Sequence, residues 1–140
     1  MKDPRDPSGP IRICGDYKLT ANKVAPLDSY PIPNTVDQLA SIAGGDKFTK
    51  LDLSQAYQQL LLDEGSRELL TINTHQGLYQ PSRLQFGIHS ATGIFQREMD
   101  RRLYKIPFTK TRVDDILISG KNDGEHLSNL RSVLQQLKES

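Results

Sequence analysis

The sequence predicts an α+β fold, with one sheet and helices packed on one of its faces. Three observations carry this. Short runs such as Phe48–Leu53 and the residues around Asp114-Asp115 read as strands. Two longer segments, 90–104 and 124–139, place apolar residues three and four apart, as amphipathic helices do. The two kinds of element interleave without a regular βαβ rhythm, which argues against a parallel doubly wound sheet.

Residues 1–10 hold three prolines, a glycine and alternating charges, and read as a flexible N-terminal arm. Ile11-Arg12-Ile13-Cys14 alternates and suggests a short strand. Pro26, Pro31 and Pro33 make residues 24–34 an extended loop. Thr35 then serves as a helix N-cap, with Gln38 closing a capping box. Val36, Leu39, Ala40 and Ala43 give that helix its apolar stripe, and Gly44-Gly45 end it. Phe48–Leu53 is a strand, Tyr57–Leu62 a second and Leu69–Thr74 a third, with His75-Gln76-Gly77 as a turn. In the 90–104 helix Phe95, Met99 and Leu103 share a face, Ser90 is the cap and Gly93 weakens the first turn. Two strands flank Asp114-Asp115, and Lys121–Gly124 is a turn. Leu127, Leu130, Leu134 and Leu137 form the stripe of the last helix.

A chain of 140 residues is long enough for one domain with a real core. No run of about 18 apolar residues exists, so no membrane span is expected. No apolar stretch follows Met1, which argues against a secretory signal. The single cysteine, Cys14, offers neither an internal disulfide nor a cysteine-based zinc site. An intracellular protein, cytoplasmic or nuclear and not secreted, is the expectation. The net charge of +1 does not advertise a nucleic-acid binder, so any such role rests on local placement of charge.

Asp114 and Asp115 stand between Val113 and Ile116-Leu117-Ile118. Two adjacent carboxylates in an apolar strand need water or cations to offset their charge. A solvated turn satisfies that need. So does a metal site, and Asp52 favours it: this is another acid in an apolar strand, within Lys50-Leu51-Asp52-Leu53. Mg²⁺ prefers oxygen ligands. Two such ions about 4 Å apart activate a hydroxyl and stabilise a leaving oxygen.

Six motifs, in order, resemble the reverse transcriptase domain of Ty3/gypsy-type LTR retrotransposon Pol polyproteins. They are Ile11–Lys18, Ser29–Pro33, Leu51–Tyr57, Leu84–Gly87 with Ile94-Phe95-Gln96, Arg112–Leu117, and Glu125-His126-Leu127. The resemblance implies a fingers/palm fold over residues 11–140, an antiparallel sheet with helices on one face. Primer grip, thumb and RNase H are not covered. It implies RNA-directed DNA polymerase chemistry on a primer, with RNA or DNA as template and dNTPs as substrates. Asp52, Asp114 and Asp115 match the catalytic and metal-binding carboxylates, for two ions of Mg²⁺ or Mn²⁺. Arg12, Tyr57 and Phe86 match nucleotide-binding positions, Tyr57 being the steric gate against a ribose 2′-hydroxyl. The remainder of the Pol polyprotein is the implied partner.

The chain departs from the family at three places. Arg112 stands where the family has tyrosine, and can pair with Asp114 or contact primer phosphate. Lys110, Arg112 and Asp114 share strand parity on the active-site side, leaving Thr109, Thr111 and Val113 toward the core in place of apolar residues. Leu84-Gln85 and Ala91-Thr92-Gly93 lack the family prolines, which should soften the start of the 90–104 helix. Two alternatives follow: a catalytically dead remnant acting as a folded binding module, or a small Mg²⁺-dependent phosphotransfer domain using Asp52. The second lacks any glycine-rich phosphate loop.

Overall fold

The computed structural model describes residues 14–139. The expected arm of residues 1–10, Arg12 and most of the strand expected at Ile11–Cys14 lie outside them; Cys14 itself is in no strand. The elements run α1 (Ala21–Val24), α2 (Thr35–Ser41), β1 (Lys47–Asp52), a 3-10 turn (Ala56–Gln59), α3 (Glu64–Leu69), β2 (Ile72–Thr74) and β3 (Gly77–Tyr79). Then come α4 (Ala91–Leu103), β4 (Thr109–Arg112), β5 (Asp115–Gly120) and α5 (Asp123–Lys138). Among the described residues no helix is long and apolar enough to cross a membrane.

The main sheet is antiparallel, in the order β1-β5-β4. Successive side chains of a strand point to opposite faces. One face carries Leu51, Thr109, Thr111, Ile116 and Ile118, and it packs against Phe95, Met99 and Leu103 of α4 and Val133 of α5. The other face carries Lys50, Asp52, Lys110, Arg112, Asp115 and Leu117. Thr109 and Thr111 are buried while Lys110 and Arg112 are exposed, as their parity requires. The α+β layout with helices on one sheet face is therefore present. A separate ribbon pairs β2 with β3 around the expected turn, where Gly77 takes φ +127°, a conformation that favours glycine. A second apolar cluster of Tyr17, Ala21 and Leu70 lies beneath Leu62, Ile72 and Ile88.

Several local expectations are overturned. The cap of α2 is Asn34, whose Oδ1 accepts from the Val36 amide at 3.1 Å. Gln38 does not close a capping box; it is buried beside Ile42, while Val36 and Leu39 face out. Tyr57–Leu62 is not a strand. Gln55 takes φ +50° and turns the chain into the 3-10 element, and only Leu61 bridges to Arg83. Leu69–Thr74 is split, because Asp63 caps α3 through Ser66 and strand geometry starts only at Ile72. Ser90 makes no cap bond to α4; its hydroxyl accepts from the Asp28 amide and donates to the Pro26 carbonyl.

The buried face of α5 is rotated from the leucine stripe. His126, Asn129 and Val133 are buried, with Leu130 and Leu137 packed on the core, while Leu127 and Leu134 are 58% and 51% exposed. His126 shares a hydrogen bond with the Thr49 hydroxyl at 2.9 Å, and its Nδ1 has no partner among the described residues.

Candidate active site

Strand register brings the acids together. Asp52 and Asp115 are directly opposed on β1 and β5. Opposed residues of an antiparallel pair lie about 4.5–5.5 Å apart at Cα, with side chains on the same face. The Leu53 amide donates to the Asp114 carbonyl at 2.9 Å, which holds the β4–β5 turn against the end of β1. Asp52 and Asp115 thus share the open sheet face, and Asp114 stands in the adjoining turn, near enough for its charge to act with theirs on Lys50. They do not close into a ready cage: among the described residues no three such side chains are gathered as a metal-binding group.

The turn itself is strained. Val113 takes φ +54°, an uncommon conformation for a β-branched residue. Its amide donates to Gln96 Oε1 at 2.7 Å. Gln96 is wholly buried on α4. Its Nε2 reaches the Thr111 carbonyl at 3.1 Å, the Thr111 hydroxyl at 3.0 Å and Asp100 Oδ1 at 2.9 Å. Thr111 donates to the same Asp100 oxygen at 2.6 Å, and Tyr30 donates to Asp100 Oδ2 at 2.9 Å. Gln38 Nε2 also reaches the Thr111 carbonyl. Threonine on the core face of β4 is therefore no defect. Its hydroxyl is satisfied inside a polar network that joins the 26–30 loop, α2, α4 and β4.

The lysine in the strand, and not Arg112, engages the acids. Lys50 Nζ lies 3.0 Å from Asp115 Oδ1. That hydrogen bond, Asp115's charge and the charges of Asp52 and Asp114 hold its ammonium above the ordinary lysine range. Among the described residues Arg112 makes no ion pair; its side chain is exposed on the open face.

Tyr57 sits half-buried, its ring centroid 5.2 Å from Phe86 and 5.7 Å from Phe95. Its hydroxyl shares a hydrogen bond with Thr92 at 2.9 Å. Asp52 ends β1 and Tyr57 follows five residues later in the 3-10 turn, so Tyr57 and Phe86 form an aromatic wall. Arg12 lies outside the described residues. The Ala91-Thr92-Gly93 segment also has a use. A Cβ at Gly93 would stand 2.9 Å from the Asp28 carbonyl, so glycine lets the 26–29 loop close on α4. Arg97 then grips both Asp28 oxygens at 2.6 Å.

Sequence reasoning singled out Asp52, Asp114, Asp115, Tyr57 and Phe86 as candidates, of which Asp52 and Asp115 stand opposed and Tyr57 meets Phe86. It missed Gln96, Lys50, Asp100 and Gln38. For Gln96 a signal was present: a glutamine beside the apolar face of α4 with an aspartate four residues on.

Residues 4–140 match the reverse transcriptase (RNA-dependent DNA polymerase) family. The chain is 34% identical over 130 residues to the retrovirus-related Pol polyprotein from transposon gypsy of Drosophila melanogaster, covering 90% of this chain and 12% of that protein. It is 35% identical over 130 residues to the enzymatic polyprotein of cauliflower mosaic virus (strain Strasbourg), covering 91% of this chain and 19% of that protein. Among solved structures, the foamy viral protease-reverse transcriptase in complex with double-stranded DNA superposes with a TM-score of 0.85 at 25% identity, over 96% of this chain and 24% of that one. The chain therefore spans between about a tenth and a fifth of the curated relatives it matches. The opposed aspartates, the aromatic wall and the antiparallel sheet fall on a match that covers nearly every residue: this chain belongs to the reverse transcriptase family, as a reverse transcriptase domain of the retroelement Pol type.

Proposed function

We propose that residues 11–140 are the fingers and palm part of an RNA-directed DNA polymerase, adding deoxynucleotides to a primer 3′-hydroxyl on an RNA or DNA template. The observation that carries this is the opposition of Asp52 and Asp115 with Asp114 tied to Leu53. The donor set is all carboxylate oxygen, which suits Mg²⁺ or Mn²⁺. A cation already stands in this corner, in the form of the Lys50 ammonium on Asp115. Asp52, Asp114 and Asp115 would hold two ions, whose chemistry is to lower the pKa of the attacking hydroxyl and neutralise charge on the triphosphate.

The rest belongs to the chain. Gln96 fixes the Val113 amide, and with it the direction in which Asp114 and Asp115 leave the turn. Tyr57 is held from behind by Thr92 and flanked by Phe86, so its ring is a firm wall where a deoxyribose fits and a 2′-hydroxyl does not. Arg12 contacts triphosphate oxygens, for which its forked guanidinium is suited. The double-stranded DNA held by the foamy viral neighbour supports a primer–template duplex as the partner. Such chemistry fits an intracellular compartment, cytoplasmic or nuclear, and continuation into the remainder of a Pol polyprotein.

The test is primer extension by a chimaera in which this chain replaces the matching segment of the gypsy Pol polyprotein. RNA template, DNA primer, dNTPs and Mg²⁺ or Mn²⁺ are supplied. Extension that disappears in Asp52→Asn and in Asp115→Asn is expected; extension indifferent to both substitutions overturns the reading. The 140 residues alone are expected to extend little.

A second reading, a catalytically dead remnant serving as a binding module, is favoured by one observation. Arg112 stands opposite Asp115 in register, on the face where the acids meet. In that case the chimaera is inactive and Arg112→Tyr restores extension. An active parent that gains nothing from Arg112→Tyr removes this reading.

A further inference from the structure

Lys50 is the residue of this corner that the carboxylate chemistry does not use. It lies on β1 two residues before Asp52, so both side chains leave the same face of the strand. Asp115 is opposite Asp52, which puts it on the diagonal from Lys50, within reach of a long side chain. The ammonium closes that diagonal at 3.0 Å, with Lys50 58% and Asp115 30% exposed. The charges of Asp52 and Asp114 act on it too, although neither pairs with it directly.

This arrangement has two consequences. Three carboxylates at the end of one strand pair repel each other, and one compact positive charge on a flexible stem relieves that repulsion. The pair is also exposed, so it is weak and readily exchanged. An ammonium offers only donors, so it occupies the same oxygen lone pairs that a metal ion requires.

We propose that Lys50 is a built-in counter-ion of the catalytic corner, which neutralises Asp115 while no divalent cation is bound and is displaced when one binds. It is a positioning residue: it keeps Asp115 in register beside Asp52 and lowers the apparent affinity for metal by competing for the same carboxylate. The proposal rests on the assignment of the three aspartates as metal ligands, and the experiment separates the two.

The measurement is Mn²⁺ binding to the 140-residue chain by calorimetry, confirmed by loss of the free Mn²⁺ electron paramagnetic resonance signal. It compares the parent with Lys50→Met, Lys50→Arg and Asp115→Asn. Lys50→Met should tighten Mn²⁺ binding about two- to fivefold at low salt, the range of an exposed ion pair. Lys50→Arg, which keeps the charge, should stay near the parent. The gap between parent and Lys50→Met should narrow in high salt, which screens the pair. Melting in metal-free buffer should fall in Lys50→Met, and the rise produced by added Mn²⁺ should be larger than in the parent. Binding weakened by Asp115→Asn but unchanged or weakened by Lys50→Met overturns the counter-ion proposal and leaves the ligand assignment standing. Binding indifferent to Asp115→Asn overturns both.

Discussion

Gln96 on α4 accepts the Val113 amide proton at 2.7 Å, from a site with no exposure to solvent. The turn that carries Asp114 and Asp115 is thus held from inside the core. Replacing Gln96 by leucine keeps the volume and removes every one of these bonds. It should leave the Val113 amide without its acceptor, while Thr111 keeps Gln38 and Asp100, and cost about 1–3 kcal/mol. Urea unfolding of Gln96→Leu against the parent checks this; a change below about 0.5 kcal/mol would show that water replaces the glutamine.

Val113 itself carries left-handed strain at φ +54°. Val113→Gly removes that strain, gives up contact with the core and frees the unfolded chain. The opposing terms should leave stability within about 1 kcal/mol of the parent. Amide exchange at residues 113 and 114 should nevertheless speed up, because the side chain no longer anchors the turn. Unchanged exchange would mean that Gln96 alone is sufficient.

Glu98 on α4 accepts from Arg101 at 3.0 Å and from Arg102 at 2.7 Å. The Arg101 hydrogen bond first, then Arg102, holds its carboxyl below the ordinary glutamate value of 4.5. A depressed carboxyl contributes stability that is present above the unfolded-state value and lost as pH falls through the folded one. Melting temperature should therefore decline below about pH 4.5 in the parent, and less steeply in Glu98→Gln. The effect is small, since helix-surface pairs are weak. Parallel pH profiles for the two proteins would show that Glu98 has no such linkage.

Thr92 holds the Tyr57 hydroxyl at 2.9 Å. Thr92→Val removes that anchor at similar volume and should cost about 1 kcal/mol. In the chimaeric polymerase the freed ring should discriminate less between deoxyribonucleotides and ribonucleotides. The ratio of dATP to ATP incorporation opposite a template uridine reads it out. An unaltered ratio would place the burden of the wall on Phe86 and Phe95.

The acids were legible because their motifs are local: Asp52 ends one short strand, Asp115 opens another with Asp114 in the turn before it, and the pleat assigns Asp52 and Asp115 their face. The helices were legible as elements but less so as faces. Leu127 and Leu134 look like core on hydropathy alone, yet Asn129 and His126 are the buried partners, through bonds to Ser119 and Thr49. The burial of Gln38 was hidden for the same reason, and that of Gln96 was signalled only by Asp100 four residues on. A hydropathy pattern counts glutamine as surface, whereas their burial is made possible by Thr111, which is remote in sequence. Tyr57–Leu62 misled because φ +50° at Gln55 turns the backbone before a strand can form.

The register of β1 on β5 has an implication for folding fidelity. A shift of one residue would place Leu51 or Leu53 opposite Asp115 and turn Asp52 toward Phe95 and Ile116. Such a slip spoils the hydrophobic interior and the carboxylate corner in a single error. A misaligned copy loses its core together with the opposition of its acids, so the population divides into correctly aligned copies and unfolded ones, with no stable misaligned form between them.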